Sequence, residues 1–84
     1  MKARAMRLIA LLDIRAAGQR GLTSDDVAAL NGLPANTVSP RISELRHHYR
    51  VIARNGERRR TRTGRWAHVL TAIAQPSRQR RLFG

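Results

Sequence analysis

Six arginines, Arg54, Arg58, Arg59, Arg60, Arg62 and Arg65, crowd into the stretch RNGERRRTRTGRW with a single acid, Glu57, and a closing Trp66. A guanidinium is planar and always charged, and its fork of donors fits phosphate oxygens and guanine edges in two-point geometry. The chemistry offered here is recognition of a polyanion. The rest of the charge agrees: 17 Lys plus Arg face 5 Asp plus Glu, a net charge of +12, and all of the bases except Lys2 are arginine. Residues 1–49 carry seven bases and four acids, net +3, whereas residues 50–84 carry ten bases and one acid, net +9. A surplus of this kind favours nucleic acid, whose counterions are released as its phosphates are neutralised.

No other chemistry assembles. The chain has no cysteine, which excludes disulfides and thiolate metal sites. His47 and His48 are neighbours that a helix points about 100° apart, and His68 lies well along the chain, so no metal-ligand set is expected. The serines, threonines and acids are scattered, with no nucleophile beside a base and an orienting group, so neither catalysis nor a cofactor is expected. The start, MKARAMRLIALLD, has a charged lead, but its apolar run Leu8–Leu12 is stopped by Asp13. That is too short for export or for a membrane span. The expectation is a cytoplasmic protein with no membrane role.

The elements that must position the arginines follow from periodicity. With 84 residues and 42% hydrophobic residues, one small core is affordable. Residues 3–17 contain no Gly or Pro and read as a first helix, with Leu8, Leu11, Leu12 and Ile14 on its apolar face and Arg4, Arg7 and Arg15 opposite. Gly18 ends it. Thr23 and Asp26 have capping-box spacing, opening a short second helix over about 24–31 that leaves at Asn31-Gly32. Val38, Ile42, Leu45 and Tyr49 form the buried stripe of a third helix. Pro40 is neutral if that helix begins near Asn36, and bends or tightens it if it begins at Pro34. Val51-Ile52 and Trp66–Leu70 read as two strands bracketing the arginines. The stretch is therefore the tip of a hairpin, turning at Asn55-Gly56 or nearer Thr63-Gly64. The domain is expected over residues 1–75, with 76–84 a flexible basic tail.

Three helices and a two-stranded hairpin make an α+β, mainly helical fold in the order of a winged helix-turn-helix. Ala28, Gly32 and Val38 add the small residue, turn glycine and branched anchor that let two helices of such a motif approach. On these residues the chain resembles the small prokaryotic or phage-type winged helix-turn-helix DNA-binding domains, over about residues 6–71. GLTSDDVAALNGLPANTVSPRISELR is similar to the helix-turn-helix half and VIARNGERRRTRTGRWAHVL to the wing.

The resemblance implies a sequence-specific binder of double-stranded DNA, a small transcriptional regulator, with its third helix in the major groove and its wing on the backbone or minor groove. Carried onto this chain, the helix contributes Asn36, Thr37, Ser39, Arg41, Ser43 and His47 around Pro40, with Arg41 first for guanine. The wing contributes Arg54, Arg58, Arg59, Arg60, Arg62 and Arg65. Plainer roles stand beside these: Arg41 paired with Glu44 or Asp25, Asn36 as a helix cap, Trp66 as core or as a platform under the wing. Rival classes are an interaction protein of phage type that docks on a host protein and a non-specific architectural binder of nucleic acid. A homodimer through the first helix is left open.

Overall fold

The absence of any helix breaker between Ala3 and Ala17 lets one helix, α1, run through that span. The computed structural model describes residues 2–73. After α1 come a 3₁₀ turn at Gly18–Arg20, α2 at Ser24–Leu30, α3 at Ala35–His47, and an antiparallel pair of strands, β1 at Ile52–Arg60 and β2 at Trp66–Ala72. Three helices followed by a hairpin form an α+β globule consistent with winged-helix topology. No helix of the described residues is long and apolar enough to cross a membrane. The expected tail, 76–84, lies outside the described residues.

Local chemistry accounts for the turn between α2 and α3. The capping box forms as expected: Asp26 N–H donates to Thr23 Oγ1 at 3.1 Å, and Thr23 N–H donates to Asp26 Oδ2 at 2.9 Å. At the far end, Gly32 takes φ +63°, so Leu33 N–H can return to the Ala28 carbonyl at 2.9 Å and Gly32 N–H to Ala29 at 3.3 Å. That double closure satisfies the last carbonyls of α2 and swings Leu33 onto the core. Asn31 Nδ2 donates to Asp13 Oδ2 at 2.8 Å, tying the same corner to α1. Ala28 and Val38 are fully buried, as the helix-turn-helix triplet requires.

The core is built from Met6, Ala10 and Ile14 of α1, Val27 and Ala28 of α2, Val38, Ile42 and Leu45 of α3, and Ile52 and Leu70 of the hairpin. This corrects half of the expected face of α1: Ile14 and Leu11 are in place, and Leu8 and Leu12 are not. Its sequence carries two apolar stripes, and the domain closes over Met6–Ala10–Ile14, where the small Ala10 permits close approach. Leu8 and Leu12 are left 56% and 52% exposed, with only Leu11 packed against the core. Arg7, expected on the solvent side, is drawn inward by Glu44 of α3 at 2.8 Å. That hydrogen bond raises its pKa further, and its guanidinium sits 5.3 Å from the Tyr49 ring centroid.

α3 begins between the two expected starts, with Pro34 as its cap residue. Pro40 stands inside the helix without breaking it; its ring nitrogen has no hydrogen for the exposed Asn36 carbonyl. Tyr49 is not the fourth residue of the buried stripe. The helix ends at His47, the chain turns through Arg50 at φ +53°, and Tyr49 is left 48% exposed.

The hairpin turns at the second expected place: Thr61 N–H donates to the Arg65 carbonyl at 2.8 Å, and Gly64 N–H to Thr61 at 3.0 Å. Asn55-Gly56 is a bulge instead. Arg54 pairs with Leu70 and Arg58 with His68, so β1 holds two residues more than β2 across that interval. Asn55 Oδ1 accepts Glu57 N–H at 2.8 Å and Gly56 takes φ +92°, the local turn that Asn-Gly favours, here spent inside a strand. At the base, Leu22 and Leu70 exchange hydrogen bonds of 3.0 and 2.8 Å, anchoring the hairpin to the segment before α2.

Candidate nucleic-acid interface

Pairing decides which face each arginine takes. Arg58 opposes His68, and Arg60 opposes Trp66. Directly opposed residues share a face, and so do residues two apart on one strand. The four side chains therefore stand together. Further down β2 the same face buries Leu70, so its base packs on the core while its distal half faces the flank of α3. There a cleft of about 530 Å³ opens between Ala35 and Ser39 of α3 and Trp66 and Arg65 of the hairpin.

Trp66 is not core. It is 62% exposed, with the Arg60 guanidinium 5.5 Å from its ring centroid. Of its two expected roles the core one is overturned: the indole lies at the rim of the cleft, across from Ala35 and Ser39, and is not packed between the elements.

No protein family, curated protein or solved structure matches this chain.

The arginines fall into two groups. Arg59 alternates to the opposite face from Arg58 and Arg60 and reaches back into the domain. Its Nη2 donates to the Arg20 carbonyl at 2.9 Å, its Nη1 to the Gly21 carbonyl at 3.3 Å, and Asp26 Oδ2 is 3.5 Å away. Arg62 grips Asp25 with Nε and Nη2 at 3.1 and 3.2 Å, and those hydrogen bonds hold the Asp25 carboxyl below its ordinary pKa. Arg41 pairs with Glu44 at 3.0 Å, one of the plainer roles expected for it. It is about one quarter exposed, and Arg7 holds the other oxygen of the same carboxylate. These three are engaged in ion pairs within the domain. Arg54, Arg58, Arg60 and Arg65 are exposed and have no ion-pair partner among the described residues.

On α3, Asn36, Thr37, Ser39, Ser43 and His47 are all exposed, as is Pro40. Ser39 Oγ donates to the Ala35 carbonyl at 3.1 Å, and Asn36 is not the helix cap. Two residues of this surface were missed by sequence reasoning. His68 lies on the same face as Trp66, and Arg46 of α3 is near enough to act on it. Only the strand register brings them together, and the open choice of turn left that register undefined.

His68 has its pKa lowered, first by desolvation and then by the charges of Arg54, Arg58 and Arg46. A folded-state pKa below the unfolded one means that the unfolded chain binds the proton more readily. Stability is therefore lost as pH falls through the region below about 6.5. Thermal midpoints measured between pH 7.5 and 5.5 should fall less for His68→Gln than for the unsubstituted chain.

Arg59→Ala tests the scaffold assignment. It removes charge-assisted bonds to two carbonyls and should cost about 1–2 kcal/mol, discounted for partial exposure. Chemical denaturation would report this as a lower midpoint at an unchanged slope.

Proposed function

We propose that this chain binds double-stranded DNA in a sequence-specific manner as a small transcriptional regulator, in the way of the prokaryotic and phage winged helix-turn-helix domains that its sequence resembles. The observation that carries the proposal is the division of the arginines. The acids Asp25, Asp26 and Glu44 are each engaged by arginines within the domain, whereas Arg54, Arg58, Arg60 and Arg65 of the hairpin are exposed and have no ion-pair partner among the described residues, near the exposed polar face of α3. Asn36, Thr37, Ser39, Ser43 and His47 are the groups available to base edges, and Arg54, Arg58, Arg60 and Arg65 those available to phosphates. Arg41 braces the Glu44 carboxylate that Arg7 of α1 also holds.

Selection from random duplex DNA at near-physiological salt tests this reading. A compact enriched motif is the expected result, with log K falling against log salt at a slope of roughly −4 for four to five neutralised phosphates. Retention without a motif would reduce the protein to a backbone binder, and a nearly flat slope would overturn the proposal.

A second reading, docking on a protein, is favoured by one feature. Leu8 and Leu12 are exposed one helical turn apart, and Leu8 borders a groove lined by Leu11, Leu45, Tyr49 and Val51. A complex with a protein partner that survives high salt would distinguish it, since contacts of this kind are not screened.

A further inference from the structure

We infer that the face of the hairpin carrying Arg58, Arg60, Trp66 and His68 is a stacking surface for unpaired bases, so that the preferred ligand has a single-stranded segment next to its duplex. This rests on the nucleic-acid reading above and narrows its ligand.

Each of the four side chains ends in a planar group: two guanidiniums, an indole and an imidazole. The cross-strand pairs set them in two rows, Arg58 with His68 and Arg60 with Trp66. Rows two residues apart on a strand are separated by about 6.7 Å. That is about twice the 3.4 Å rise of a stacked strand, so the two rows suit neighbouring bases that have parted from each other. Positive charge interleaved with aromatic faces on a sheet is the arrangement by which single strands are held with little sequence preference.

Trp66 gives the argument its direction. A tryptophan left 62% exposed forgoes much of the burial available to so large a side chain. Its one polar group is a donor, so it reads little from a groove edge. What an indole offers is a π-face, and inside a duplex the faces of the bases are already covered by their neighbours. Arg60 lies over the ring without enclosing it. Beside Trp66, the cleft toward α3 is lined by Ser24, Ser39, Thr61 and Thr63, with Asp25, held by Arg62, also on its wall, so its lining is polar enough to meet the edge of a base turned into it. The duplex would lie along α3, and the strand leaving it would cross the hairpin.

Trp66 is the only tryptophan in the chain, so emission from the whole protein reports on this position alone. The experiment titrates the full chain with three end-labelled DNAs of equal length: a thymidine-rich single strand, a blunt duplex, and a duplex with a thymidine extension. Binding is read by anisotropy of the label, and stacking by quenching of Trp66. The expected result is strong quenching by the single strand and by the extended duplex, and little by the blunt duplex. Trp66→Ala should weaken binding of the single strand roughly tenfold, within the range for one stacked base, while blunt-duplex affinity changes less than twofold. Trp66→Phe should recover part of the loss. Because Trp66 is exposed, its variants are expected to melt with the parent, which a thermal scan checks. Binding of the single strand without quenching, or equal quenching by the blunt duplex, would overturn the inference and leave the DNA-binding proposal standing. Failure to bind any of the three would overturn both.

Discussion

Gly21→Ala should lower stability by about 2–6 kcal/mol and the thermal midpoint by about eight degrees or more, since each kcal/mol is worth about 4–8 °C in a domain of this size. Two costs combine. Gly21 has φ +69° and ψ 176°, a region open essentially to glycine alone, which costs a residue with a Cβ about 1–3 kcal/mol. The added methyl would also stand 2.5 Å from the Leu70 carbonyl oxygen and 2.7 Å from Val69 Cγ1. Neither neighbour can move cheaply, because Val69 and Leu70 are buried and Leu70 is held by both of its bonds to Leu22. Overpacking of this kind adds about 1–3 kcal/mol. Gly64→Ala is the control. Its φ is +86°, yet nothing lies within 4 Å of the added carbon, so it should show the backbone cost alone. Equal losses from the two substitutions would mean that the close approach of Gly21 to β2 is not what fixes the hairpin to the domain.

The second large effect is on binding. Replacing Arg54, Arg58 and Arg60 together by glutamine should reduce the steepness of the salt dependence by about 2.7 in slope and weaken duplex binding roughly 10²–10³-fold near physiological salt. The fold should not suffer, because none of the three has an ion-pair partner among the described residues and their mutual repulsion is relieved. Arg59→Ala should give the converse pattern, a clear loss of stability with the salt slope nearly unchanged. Titrations at several salt concentrations, run beside denaturation curves, separate the two. If the triple variant kept its slope, the phosphate contacts would have to lie elsewhere, with Arg65 and Arg46 the next groups to substitute.

The order of elements was legible because its signals are local. Thr23 with Asp26, Asn31 with Gly32, and the spacing of Val38, Ile42 and Leu45 each act within a turn or two of chain, and the structure uses all of them. The α1 face was not legible, because Met6–Ala10–Ile14 and Leu8–Leu12 are both helical stripes. The choice between them depends on the approach that Ala10 allows to elements far along the chain. Asn55-Gly56 misled for a related reason: the same dihedral preference serves a hairpin turn or a bulge, and the partner strand decides which. From that register follows the whole division of the arginines. In sequence Arg58, Arg59 and Arg60 are one undifferentiated run. In the fold the middle one is a structural tie, and its neighbours are the exposed cations. Arg41 was open to two roles because Glu44 stood three residues away, and its pairing became visible only when α1 brought Arg7 to the same carboxylate.

The bulge at Asn55–Glu57 also sets which changes of sequence the hairpin can absorb. It adds an even number of residues to β1, so Arg58 and Arg60 keep the parity of Arg54 and share a face with Trp66 and His68. A deletion of two residues there would remove the bulge, and an insertion of two would enlarge it, while leaving the two sides of the hairpin as they are. A change of one residue would turn β1 over beyond that point: Arg59 would swing outward, and Arg58 and Arg60 would be driven against Arg20 and Gly21. The bulge therefore tolerates change only in steps of two, and a single-residue slip turns the charge of the arm inside out.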